Sequence, residues 1–391
     1  MANRLGEITV RAIRLAARRP KGWKSVLYNT AMAKARRTGP LMMPVHVSVE
    51  PTNVCNARCP VCETGNGTME RRRGMLDLQA YRKFIDDIAS HASILMFYFM
   101  GEPFLNKHAY EMIRYARDAG LFVETCTNGD FVDAKGVIYS DLNEINFQIG
   151  GMTPETHAVY RIRSDLEKVE KNLDELVRER RKHPGSNLQI NVGFIVMKHN
   201  EHEVPKFLAW AKEAGVDKAN VIDPCVRNVV EGHAMLPRDK KYWFYDEEAF
   251  ERGVLRPKHV MHNECTWVWN SIVVNWDGDV VPCCRDPHGR HVLGNAFETP
   301  LREIWNGAKA RGFRRSIIKD QGSVNICELC SGFGVPQLMP KKPIDFEVAR
   351  LSIDPAPIKF AYDPTTGEEI DPRAGAPDTS APERRHTSAA E

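Results

Sequence analysis

The chain lacks several features that would settle its class at once. No apolar run in its 391 residues reaches the ~18 residues that a membrane-spanning helix needs. The first charged residues are not followed by the apolar core of an export signal, so a cytoplasmic location is expected. Glycine and proline are too sparse for a fibrous chain, and no repeat with a period of 20–50 residues is visible. Cysteine is too scarce for a disulfide scaffold of this length: the ten residues fall in clusters, at 55, 59, 62, 126, 225, 265, 283, 284, 327 and 330. In a reducing compartment clustered thiols read as metal ligands. What remains is an ordinary soluble composition, 42% hydrophobic and 27% charged.

Strong charge is also missing overall, but the net value of +3 hides an asymmetry. Residues 1–40 carry +9 and the remainder −6, so the body gives no electrostatic reason to bind nucleic acid. Within the basic stretch, Leu5, Ile8, Ala12 and Leu15 share one helical stripe over 4–19. This suits a docking helix, and Arg11, Arg14, Arg18 and Arg19 would permit a weak membrane-surface contact.

From 44 to 223 strand-like and helix-like segments alternate. Strands are predicted at 44–50, 93–99, 121–126, 143–149, 188–197 and 218–223. Helices are predicted at 77–90, 106–119, 133–140, 164–183 and 201–214. Six βα units imply a parallel sheet with right-handed crossovers. Six units fall short of the eight that close a barrel, so the expected fold class is α/β, an open, partial (β/α)6 barrel. Residues 224–264 read as a bridging segment. In 265–334, Ile272 to Pro282 flank Asp277-Gly278-Asp279 as a β-hairpin, and a helix is predicted at 300–315. The segment after about 362 is rich in Pro, Ala, Glu, Ser and Thr and is expected to be disordered.

Cys55, Cys59 and Cys62 follow the first strand directly. Structural zinc takes four ligands, and so does a fully ligated iron–sulfur cube. Three thiols either leave one iron of a [4Fe–4S] cluster open or wait for a distant fourth zinc ligand such as Cys126. CxxxCxxC after the first strand of a partial barrel resembles the radical S-adenosylmethionine enzymes. The resemblance implies that S-adenosylmethionine chelates the open iron and is cleaved by one electron to a 5′-deoxyadenosyl radical. One residue departs from the pattern: Val61 stands where relatives commonly carry an aromatic residue beside the adenine.

The same resemblance implies cofactor contacts at the carboxyl ends of the other strands. Met100-Gly101-Glu102-Pro103 resembles the family's GGEP motif, with Gly101 and Glu102 near the methionine ammonium. Thr127-Asn128-Gly129 is similar to its TNG turn. Gln148 stands where relatives often carry a Ser, and the resemblance implies a side chain near the ribose there. Of Arg161 and Arg163, the second is taken as the partner of the methionine carboxylate. Asn200 is either a helix cap or a cofactor contact. Cys225 is a candidate catalytic residue, a hydrogen-atom donor to the substrate, while Cys126 is expected to pack.

The second group is Cys265, Cys283, Cys327 and Cys330, with Cys284 as an alternative to Cys283. Four thiols would close a zinc site or a [4Fe–4S] cluster equally well. Cx12Gx4C followed by CxxC is similar to the SPASM domain, or its shorter Twitch form, within the same family. No further cysteine follows Cys330, so the resemblance implies one auxiliary cluster.

These readings divide the chain into a basic extension (1–43), a barrel core (44–224), a bridge (225–264), an auxiliary-cluster domain (265–334) and a C-terminal extension (335–391). The expected activity is hydrogen abstraction from a small-molecule or sugar-type substrate, with net oxidation assisted by the auxiliary cluster. A flavodoxin- or ferredoxin-type protein would supply electrons. Maturation of a ribosomal peptide is the alternative substrate reading. A zinc-stabilised scaffold is the alternative from another class.

Overall fold

The computed structural model describes residues 22–332 and 345–351, together with the short segments 361–362 and 369–370. The basic helix expected over 4–19 lies outside the described residues, as does nearly all of the tail after 362. Residues 355–391 form a separate unit, in which Ala361 and Tyr362 pair with Ile370 and Glu369.

In the first unit ten strands form one sheet. They are β1 (His46–Val49), β2 (Ile94–Met96), β3 (Phe122–Thr127), β4 (Glu144–Ile149), β5 (Gln189–Ile195), β6 (Lys218–Ile222), β7 (Ser271–Val274), β8 (Asp279–Val281), β9 (Gly294–Asn295) and β10 (Glu347–Leu351). The order is β10-β6-β5-β4-β3-β2-β1-β7-β8-β9. The first six strands are parallel and sequential, as the alternation of βα units demands. The sheet does not close on itself among the described residues. It is the expected open barrel.

One face of the sheet is apolar and helix-covered. Val47, Leu95, Val123, Ile145, Ile190 and Val192 pack there with helix residues Ile85, Met112, Leu173 and Phe207. The helix Leu78–Ile88 shows why: it buries Tyr81, Phe84, Ile85 and Ile88 at spacings of three and four, and Asp77 caps it by accepting from the N–H groups of Gln79 and Ala80. The alternate positions on the strands are polar. Glu124 lies in register with Glu144, and Asn146 with Asn191. Asn191 donates to Glu144 at 2.8 Å and to Asn146 at 3.2 Å.

The second strand is shorter than the predicted 93–99 because the chain turns sharply beyond Phe97. Gly101 has φ +78, and a Cβ there would sit 2.4 Å from the carbonyl oxygen of Thr52. The helix predicted at 300–315 is two helices, Leu301–Trp305 and Ala308–Asp320, parted by extended backbone at Gly307. The hairpin around Asp277-Gly278-Asp279 forms with Val274 opposite Val280. Its first strand also pairs in parallel with β1, Val47 opposite Ile272, so the cysteine-rich segment begins as a continuation of the barrel sheet. β10 is unforeseen. It pairs in parallel with β6, and Lys218 meets Glu347 at 2.9 Å.

Candidate functional site

The loop after β1 carries the first cysteine group. It turns back on itself, with Cys62 N–H donating to the Cys59 carbonyl at 3.2 Å, and runs into the single-turn helix Glu63–Asn66. Gly65 packs directly on the Cys59 backbone, where a Cβ would lie 2.5 Å from the nitrogen. Cys55 and Cys62 pack beside Cys59, Ala57, Val61 and Tyr160 in one apolar cluster. Burial pushes the Cys55 thiol up to about 12, the Ala57 N–H opposes this, and the charges of Glu102, Cys59 and Cys62 add to it. Burial raises Cys62 as well. Three anionic sulfurs this crowded are stable together only around cationic metal. Among the described residues, no three Cys, His, Asp or Glu side chains converge tightly enough to hold a single ion. The donor set fits a polynuclear iron–sulfur cluster.

Arg161 reaches this loop. Its Nη1 donates to Cys59 Sγ at 3.6 Å, its guanidinium lies over the Tyr160 ring, and its Nε is buried without a partner. That spare donor beside Cys59 suits a carboxylate. Arg163 does not reach it. The helix Pro154–Tyr160 ends at Arg161, and Arg163 is exposed in the left-handed region at φ +72. Of the two arginines, Arg161 is the one the structure places beside the cysteine loop, whereas the expected carboxylate partner Arg163 stands away from it.

Glu102, Thr127 and Asn128 are brought together, but inwardly. Glu102 is 1% exposed and accepts from Thr127 Oγ1 at 2.7 Å, Asn128 N at 2.8 Å and Phe104 N at 3.3 Å. Burial raises its carboxyl to about 7 although these bonds oppose the shift. Both of its oxygens thus accept from the protein. Asn128 Nδ2 donates to Asn56 Oδ1 at 2.7 Å and to Cys55 Sγ at 3.8 Å, and Asn56 donates to Asp130 at 2.6 Å. Asn56 and Asp130 were not foreseen. They tie the cysteine loop to the end of β3.

Gln148 is half-buried on the polar face, hydrogen-bonded to Cys126 and lying against Gly193. Asn200 is fully buried. It donates to the carbonyls of Gly150 at 2.9 Å and Ile195 at 3.0 Å and accepts from Met197 N at 2.7 Å. It stands at the N-cap position of the short helix Glu201–Glu203 but its side chain makes no capping bond, and both of its amide N–H groups are taken by backbone carbonyls. It staples the end of β5 to the end of β4.

The second group surrounds the hairpin. Cys265 precedes the helix Trp267–Asn270, Cys283 and Cys284 follow β8, and Cys330 N–H donates to the Cys327 carbonyl at 2.8 Å. Burial raises Cys265 to about 11, with the charges of Cys330 and Cys284 adding to it. Burial raises Cys327 to about 12, with Cys265 and Cys330 adding to it. The thiols are thus mutual neighbours in a dry site, which again fits a cluster. Cys283 donates to Cys284, and both lie close to Cys265.

Between the groups stands Cys225, just past β6. Its sulfur accepts from Arg227 Nη1 and from Arg285 Nη1, each at 3.0 Å. Arg227 also pairs with Glu63, the residue after Cys62, at 2.6 Å, and Arg285 donates to the Leu329 carbonyl at 2.8 Å. Arg227 is a local neighbour of Cys225, whereas Arg285 is sixty residues away and only tertiary folding brings it there.

Residues 49–220 match the radical SAM superfamily, and residues 265–331 match SPASM, an iron–sulfur cluster-binding domain. The AdoMet-dependent heme synthase of Methanosarcina barkeri is 26% identical over 74% of this chain and 90% of its own length. The PqqA peptide cyclase of Xanthomonas euvesicatoria is 23% identical over 78% of this chain and 82% of its own. The crystal structure of Streptococcus suis SuiB bound to S-adenosylmethionine aligns with a TM-score of 0.55 at 13% identity, covering 83% of this chain and 80% of that one. The last of these speaks for the fold alone.

Proposed function

Because the chain belongs to the radical S-adenosylmethionine superfamily, in its SPASM branch, we propose that it abstracts a hydrogen atom from a polar small molecule of the sugar or cofactor-precursor kind and oxidises it. The observation that carries this is the meeting of the two cysteine loops across one gap at Cys225, with Arg227 from one side and Arg285 from the other. When bound, a [4Fe–4S] cluster on Cys55, Cys59 and Cys62 with S-adenosylmethionine on its open iron supplies a 5′-deoxyadenosyl radical. Cys265, Cys283 or Cys284, Cys327 and Cys330 would hold the second cluster, within reach of an electron leaving the substrate. Arg161 would orient the methionine carboxylate. The polar sheet face, with Glu124, Asn146, Gln148 and Asn191, would receive the substrate's hydroxyl or amino groups. Glu124 is raised to about 8 by burial and then by the Glu144 charge, so at neutral pH it holds a proton there.

Peptide maturation is the second reading, favoured by the similarity to a peptide cyclase over 82% of that protein's length. A flavodoxin- or ferredoxin-type donor would serve either. Anaerobically reconstituted protein incubated with candidate sugars, cofactor precursors and peptides decides between them by 5′-deoxyadenosine yield and substrate mass. A loss of two hydrogens from a small molecule supports the first reading; turnover of peptides alone overturns it.

A further inference from the structure

Among the described residues, Cys225 is the one thiol that two guanidinium groups share. Arg227 Nη1 and Arg285 Nη1 both donate to its sulfur at 3.0 Å, and the Tyr245 hydroxyl lies 3.9 Å away. The charges around it can be balanced by inspection. Glu63 neutralises one arginine, through 2.6 and 3.3 Å bonds to Arg227. No carboxylate pairs with Arg285 among the described residues; its other bond is to the Leu329 carbonyl. Cys330 and Cys284 also face Arg285, but only the Cys225 sulfur accepts from both guanidinium groups at 3.0 Å, and two charged donors on one sulfur favour its anionic form. The acid–base chemistry agrees. Burial alone would raise the thiol, but Arg285 and Arg227 more than reverse this and hold it below its ordinary value.

Position gives the thiolate its consequence. Arg227 leads through Glu63 to the first cysteine loop. Arg285 follows Cys284 and grips Leu329, inside the turn between Cys327 and Cys330. We propose that Cys225 is a positioning residue: its thiolate is the counter-charge that pins both cysteine loops to one point and holds the second cluster at a lower reduction potential than a neutral residue beside Arg285 would allow. A thiolate has no S–H to give, so the expectation that Cys225 donates a hydrogen atom is set aside for the resting enzyme. The role at the second cluster rests on the functional reading above; the thiolate itself does not.

Two measurements test it on the reconstituted holoprotein. The first is iodoacetamide alkylation of Cys225, followed by peptide mass. The rate is expected to change less than about two-fold between pH 7 and 9, because the nucleophile is already ionised. In Arg285→Gln it should climb by up to about ten-fold per pH unit below the thiol's new pKa. A wild-type rate that climbs as steeply as an ordinary thiol's overturns the proposal, whatever metal the protein holds. The second is the potential of the second cluster, followed by electron paramagnetic resonance. Cys225→Ser should move it to a more positive value and Cys225→Asp, which restores the charge, should return it. An unchanged potential in Cys225→Ser, with the cluster intact by iron content, overturns the electrostatic role. Failure to assemble any second cluster would instead count against the functional reading, and the alkylation result would still stand.

Discussion

Arg161 Nη1 lies 3.6 Å from Cys59 Sγ, with the Nε of the same guanidinium buried and unpartnered. This places a cation with a spare donor at the lip of the three-thiol loop. The neighbouring Arg163 has neither burial nor a route to the loop.

Arg161→Ala should therefore weaken S-adenosylmethionine binding by about ten- to a hundred-fold, the loss of a charge-assisted hydrogen bond of roughly 1.5–3 kcal/mol. Arg163→Ala should change it less than about two-fold. Calorimetric titration of the reconstituted protein separates them, and equal losses in both would remove Arg161 from this role.

Asn200→Ala removes three hydrogen bonds from a fully buried side chain. It takes the Asn200 bond from the Ile195 carbonyl and the Met197 N–H, while the Gly150 carbonyl keeps His199, which costs on the order of 1–3 kcal/mol. Urea denaturation should show that loss. Cofactor affinity in the folded fraction should be nearly unchanged, since both amide N–H groups are committed to backbone carbonyls.

His157 gives the fold a pH limit. Its Nδ1 accepts from the Gly150 N–H at 3.2 Å, and its Nε2 lies 3.1 Å from Ser164 Oγ. Protonating Nδ1 would break the first bond. Burial, and then the Arg161 charge, lower it to about 4. The folded pKa is below the unfolded one, so the unfolded chain takes up the proton first. The stability is complete above about pH 6.5 and is lost as pH falls toward 4, by about 2 kcal/mol per chain at pH 5. His157→Gln cannot titrate, and its denaturation midpoint should fall less steeply between pH 7.5 and 5. Parallel slopes would show that His157 does not carry the effect.

Cys327→Ala should lower the iron content from about eight to about four per chain while leaving S-adenosylmethionine cleavage in place. The two groups sit on separate loops, so loss of one need not unmake the other. If the variant loses both clusters, the loops assemble as a single unit.

The alternation of strands and helices was legible because each buried parallel strand is a short apolar run between amphipathic helices that Asp77, Asp133 and Asp165 cap. The cysteine spacing marked both metal groups, since ligands of one cluster must recur within a turn or a hairpin. Side-chain direction was not legible. Glu102 stands in the expected motif, yet its carboxylate is consumed by Thr127 and Asn128. Arg161 and Arg163 are two residues apart, and only the left-handed turn at Arg163 decides which faces the cysteines. β10 was hidden because its ladder with β6 joins residues well over a hundred positions apart. The same long range concealed Arg285 from any reading of Cys225.

The account stands most directly on one assay: 5′-deoxyadenosine formation by anaerobically reconstituted, chemically reduced protein supplied with S-adenosylmethionine. Product should form with the wild type and with Cys265→Ala, and should vanish with Cys59→Ala. Iron-loaded wild-type protein that leaves the sulfonium intact, or Cys59→Ala protein that still cleaves it, would contradict the central claim.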